Sequence, residues 1–148
     1  MLGQLLLGGA VSFLNFGIHA AITGVIVVAT RHTARVTDDL HVAVRASALL
    51  MVTMTALTVA HLCEVAVWTW FYKAAGVFSP GEIGIFDAAF ENYTALGYGD
   101  AIPVKSMRIY GPMAALNGLL LIGWSVAIII EVLRMAELEI GRVKRRGR

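Results

Sequence analysis

The sequence predicts an all-α membrane protein with three transmembrane helices and a fourth, shorter helix that enters the membrane without crossing it. Three observations carry this. The 148 residues are 58% hydrophobic and only 15% charged, with a mean hydropathy of +0.75, whereas a soluble domain carries roughly 25% charged residues. Three apolar stretches reach the roughly 20 residues that a membrane helix needs. Between the second and third, a helix-start signal is followed by a helical run too short to span. Three spans nearly exhaust the chain, which excludes a soluble enzymatic domain. The single cysteine, Cys63, excludes an intrachain disulfide framework and a cysteine-rich metal site.

The first span is expected within residues 1–30, where no charged side chain occurs from residue 2 to residue 30. A secretory signal peptide would need a basic start and a shorter apolar run, and the stretch has neither. Asn15, His19 and Thr23 recur at every fourth residue and so share a face. Polar groups on such a face bond across a helix–helix contact, the ordinary use of polar residues in a membrane. Residues 31–45 form a polar connection with Arg31, Arg35, Arg45, Asp38 and Asp39.

The second span is expected from residue 46 to residue 72. It ends in Trp68, Trp70, Phe71 and Tyr72, a cluster suited to a membrane–water interface. Within it His61 and Glu64 lie at i, i+3 on one face. Intramembrane ionisable residues invite a functional explanation. A metal site with Cys63 is disfavoured, because Cys63 faces elsewhere and no second cluster completes the shell. A structural bond to the short helix or to the first span is the expectation, with pH sensing as the alternative.

Ser79-Pro80-Gly81-Glu82 reads as a helix start, with Ser79 as cap, Pro80 as first helical residue and Glu82 completing a capping box. The helix is expected over 82–94 and ends at a glycine-rich motif. Irregular backbone at membrane depth is tolerated only inside protein or beside a water-filled cavity. Pro103 then turns the chain, Gly111-Pro112 opens the last span, expected over 113–133, and a basic tail occupies 134–148.

Charge orients the spans. The 31–45 connection and the tail from Arg134 hold nine of the twelve basic residues, the segment 73–108 holds three, and residues 1–30 hold none. Basic loops stay on the cytoplasmic side. The expectation is a multi-pass protein of the cell (plasma or inner) membrane, with the N-terminus and the glycine motif outside and the C-terminus cytoplasmic. The tail either binds anionic lipid heads, at about 1 kcal/mol per basic residue, or serves only to enforce orientation.

The glycine motif is Thr94-Ala95-Leu96-Gly97-Tyr98-Gly99-Asp100. It resembles the selectivity filter of the potassium-channel family, usually T-V-G-Y-G-D or T-L-G-Y-G-D. The resemblance extends over about 46–135, and is closest to small bacterial ion-channel proteins with an extra helix before this module. They share stretches such as His61-Leu62-Cys63-Glu64 and Leu116-Asn117-Gly118-Leu119-Leu120-Leu121-Ile122-Gly123-Trp124-Ser125. The resemblance implies that 46–133 is a pore module, with outer helix 46–72, pore helix 82–94, filter 94–100 and inner helix 113–133. One filter loop cannot enclose an ion, so it further implies a homotetramer. Filter carbonyls of Thr94, Ala95, Leu96, Gly97, Tyr98 and Gly99 would then bind K⁺, with those of Thr94 to Tyr98 replacing its hydration shell in the manner known for the family. K⁺ is the permeant ion; no cofactor, catalytic residue or nucleic-acid partner is implied.

Departures from the family pattern carry further expectations. Threonine usually stands where Ala95 is, lining the innermost ion site with hydroxyls. Its loss implies a weakened inner site, unless alanine is tolerated without consequence. Glu91 and Asp100 match a pair that in some relatives meets behind the filter and shares a proton; otherwise Asp100 faces the outer vestibule and gathers cations. A tryptophan pair that braces many filters is missing, with Asp87 and Ala88 in its place.

Carried onto the last span, the resemblance puts Leu120, Gly123, Ala127 and Glu131 on the pore side. Gly118 and Gly123 are candidates for the hinge glycine, or for close helix packing. Glu131 either forms an acidic ring or pairs with Arg134 or Arg35. No run of spaced arginines suggests a voltage sensor. The alternatives to a potassium-selective channel are a weakly selective cation channel, a non-conducting or regulatory homologue, a transporter subunit and a membrane enzyme. A transporter would carry four degenerate filter copies, and an enzyme would need a nucleophile or metal constellation that the sequence does not display.

Overall fold

In lipid a backbone satisfies its N–H and C=O groups only internally, so the apolar stretches become helices. The computed structural model describes residues 1–38, 40–79, 84–98 and 102–146, with side chains described as far as Ala136. Four α-helices follow in order: α1 (Leu2–Val36), α2 (Val42–Ala75), α3 (Ile85–Tyr93) and α4 (Tyr110–Arg146), with a 3-10 turn at Lys105–Met107 before α4. There is no strand among the described residues. α1, α2 and α4 are long and apolar enough to cross a membrane, which fits a membrane protein.

The long helices overrun the spans expected from hydropathy. α1 has 35 residues, α2 has 34 and α4 has 37, and a rise of about 1.5 Å per residue makes each roughly 50 Å long against a hydrocarbon core of about 30 Å. Hydropathy marks where lipid is, not where hydrogen bonding stops. Glu, Lys and Arg are good helix formers, so α4 continues through most of the tail. The connection expected over 31–45 shrinks to the residues between Val36 and Val42. There Arg45 donates to Asp38 Oδ1 at 2.9 Å.

The expected start of the short helix is corrected. It begins at Ile85, with Gly84 as N-cap and no side-chain cap bond. Glycine is a poor helix interior residue, so the helix starts after Gly84 rather than running through it. Asp87 sits in the first turn, where the helix dipole favours an acid. Pro80, Gly81 and Glu82 lie outside the described residues.

Two C-termini share one geometry. At the end of α2, Val77 N–H reaches Tyr72 O at 3.0 Å and Gly76 N–H reaches Lys73 O at 3.3 Å, with Gly76 at φ 62. At the end of α3, Leu96 N–H reaches Glu91 O at 2.9 Å and Ala95 N–H reaches Asn92 O at 3.0 Å, with Ala95 at φ 57. Both are Schellman motifs, in which a left-handed residue turns the chain so that orphan carbonyls find donors. Glycine holds the left-handed position in the first and alanine in the second.

The chain divides into two units, one of Met1–His19 with Ala60–Gly123 and one of Ala20–Val59 with Trp124–Arg148. In the first, Trp68, Tyr72, Tyr93, Tyr110, Ala89, Ala114 and Leu121 form a core with α3 held inside it. Of the aromatic residues at the end of the second span, Trp68, Phe71 and Tyr72 are buried within the chain, and Trp70, at 68% exposure, faces outward. Spacing of i, i+3, i+4 puts those three on one face. The ring of Phe71 meets that of Tyr110 at 4.8 Å edge to face. In the second unit Ile26, Leu49, Leu57 and Val132 are buried.

Candidate functional site

The buried polar centre of the first unit gathers side chains from α1, α2 and α3 around Glu64, which is fully buried. His19 Nδ1 lies 2.8 Å from Glu64 Oε1, and His61 Nδ1 lies 3.0 Å from Glu64 Oε2. The Tyr93 hydroxyl donates to the same Oε2 and sits 2.8 Å from His61 Nδ1. The i, i+3 spacing brings His61 and Glu64 together, and α1 supplies His19 from its polar face. The carboxylate joins both partners proposed from sequence, the first span and the short helix.

A second node lies beside it. Asn117 Oδ1 accepts from Asn15 Nδ2 at 2.9 Å and from the Trp68 indole N–H at 2.9 Å. Asn117 Nδ2 reaches Ser12 O at 3.5 Å, and Asn15 Nδ2 also reaches the Glu64 carbonyl at 3.3 Å. One asparagine thus fastens α1, α2 and α4 together. Buried polar groups without partners are expensive, so these contacts specify which helix faces meet.

His61 and Glu64 alone leave an incomplete shell, but His19 completes a three-donor group whose ligand atoms all lie within 4.8 Å of one another. Cys63 is exposed and takes no part. Sequence reasoning missed this convergence, although the spacing of Asn15, His19 and Thr23 had marked the face. Tyr93 carried no signal, since its role depends on where α3 docks.

The glycine motif follows α3 directly. The Thr94 hydroxyl donates back to Phe90 O at 2.9 Å. Leu96 and Tyr98 are exposed, and Gly97 adopts φ 58, which glycine reaches at little cost. Gly99 and Asp100 lie outside the described residues, and with them the expected pairing of Glu91 with Asp100. Ala88, where a bracing tryptophan was expected to be missing, is buried in the core, while Asp87 is exposed.

On α4 the two candidate hinge glycines differ. A Cβ on Gly118 would stand 1.9 Å from the carbonyl oxygen of Tyr93, whereas one on Gly123 would meet nothing within 4 Å. Gly118 is therefore a packing glycine that lets α4 lie against the end of α3. Leu120, Gly123, Ala127 and Glu131 are exposed. Arg142, Lys144, Arg145 and Arg146 lie beyond the described side chains, and Arg148 beyond the described residues.

Comparison with protein-family profiles, with curated proteins and with solved structures finds no match to this chain.

Proposed function

We propose that the chain is the subunit of a homotetrameric, potassium-selective channel that conducts K⁺ passively along a central axis. The observation that carries this reading is the succession of a nine-residue helix, too short to cross a bilayer, and the motif Thr94-Ala95-Leu96-Gly97-Tyr98-Gly99-Asp100, in a chain whose other helices are long enough to cross. Four motifs around an axis would present carbonyls of Thr94, Ala95, Leu96, Gly97 and Tyr98 to a dehydrated K⁺. Leu120, Gly123, Ala127 and Glu131 share one side of α4 and are exposed in the single chain, so they are free to face a central axis. The excess of basic residues in the 31–45 connection and the tail supports a motif that faces outside and a cytoplasmic tail.

Ala95 favours a second reading, a cation channel of weak selectivity, because it brings no hydroxyl to the inner end of the motif. Ion flux from purified protein in liposomes separates the two. Under matched gradients, the first reading expects K⁺ flux and Na⁺ flux lower by at least tenfold. Comparable fluxes select the second, and no flux of either ion from verified tetramers overturns both.

A further inference from the structure

We infer that His19, His61 and Glu64 form a binding site for a divalent transition-metal ion of the zinc class. Two imidazoles and a carboxylate form an established donor set for zinc, and here they converge from α1 and α2. Tetrahedral bonds of about 2.0–2.1 Å separate neighbouring donor atoms by about 3.3 Å. His19 Nδ1 lies 2.8 Å from Oε1 and His61 Nδ1 lies 3.0 Å from Oε2, one histidine to each carboxylate oxygen, and one donor atom from each of the three residues lies within 4.8 Å of the others. Side-chain rotation would have to bring the three donors to the tetrahedral spacing.

Charge points the same way. An ionised Glu64 brings a negative charge to a fully buried place, where an uncompensated charge is costly. Its ion-pair partners among the described residues are the two histidines. A bound divalent cation supplies compensating charge directly at the carboxylate. Imidazole donors select against Mg²⁺ and Ca²⁺, which take oxygen ligands. The Tyr93 hydroxyl, bonded to the same carboxylate, orients it from outside the donor set. His61, with a side chain 23% exposed, gives the ion a way in. Bound metal would pin α1 to α2 and, through Tyr93, steady the end of α3. The site stands whether or not the chain conducts.

The test uses the full chain in detergent, stripped with chelator. His32→Gln, His41→Gln and Cys63→Ser together form the background, which removes other imidazole and thiol donors. After exposure to micromolar Zn²⁺ and desalting, elemental analysis is expected to find one zinc per chain, with no retained Mg²⁺ after the same treatment. Co²⁺ loading should give the visible absorption of a four-coordinate nitrogen and oxygen site. Glu64→Gln and His61→Gln should each weaken Zn²⁺ binding by at least a hundredfold while circular dichroism and elution volume stay unchanged. His61 is half-buried, so its variant keeps the test valid if Glu64→Gln fails to fold. A background protein that retains no zinc overturns the proposal, as does background affinity in any folded variant. A chain that binds zinc but passes no K⁺ leaves this site intact and removes only the channel reading.

Discussion

A methyl group at position 118 would stand 1.9 Å from the carbonyl oxygen of Tyr93, while one at 123 would stand in open space. The two glycines of α4 should therefore respond oppositely to the same substitution. Gly118→Ala must push α4 off the end of α3, an overpacking cost of about 1–3 kcal/mol. Gly123→Ala relieves a flexible residue inside a helix and should gain about 0.5–1 kcal/mol. Denaturant melts of both variants in detergent check the sign of each change, and equal effects would remove the distinction. Ala95 shows the same logic in the backbone. It holds the left-handed position of a Schellman motif, with φ 57, which costs an L-residue roughly 1–2 kcal/mol. Its position before the glycines was plain in the sequence, but its conformation depends on the hydrogen bonds of Glu91 and Asn92.

Among the helices, α1 is tied to α2 and α4 by buried side chains. Through Asn15 it meets Asn117 of α4, and through His19 it meets Glu64 of α2, which also holds Tyr93 of α3. The short helix makes no span of its own, so bonds of this kind fix its depth and direction. Asn117→Ala would leave the Trp68 indole N–H and one partner of the Asn15 amide unsatisfied. Each buried orphan costs about 1–3 kcal/mol, so a total loss of about 2–6 kcal/mol is expected. Unfolding of the variant, followed by tryptophan fluorescence, measures it. A change below about 0.5 kcal/mol would show that the node contributes nothing to stability, against the energetics of buried polar groups.

For the assembled protein, the channel reading requires four chains. Mass measurement in detergent, with detergent mass subtracted, should return four times the 15.9 kDa of one chain. A stable monomer or dimer at all protein concentrations would contradict a central pore. Cross-linking from a cysteine placed at Gly123, in a Cys63→Ser chain, should join neighbouring chains if this exposed side of α4 faces the axis.

Composition and hydropathy were enough to mark three helices long and apolar enough to cross a membrane. In lipid, long apolar runs have few backbone solutions, and that constraint is local. The same locality made α3 visible, since a helical run of its length cannot cross, and the i, i+3 pair of His61 and Glu64 is a property of one helix. Helix ends were less legible: α3 starts after Gly84 rather than at the expected cap, and α4 runs on through charged residues whose helix propensity hydropathy does not report. What had to await the packed chain was which polar faces meet. Asn15, His19, Glu64, Trp68, Tyr93 and Asn117 are spread over a hundred residues, and none announces its partner. Their convergence follows from how α1, α2, α3 and α4 dock, because burial favours arrangements that give most polar atoms a partner; Asn15 Oδ1 is an exception.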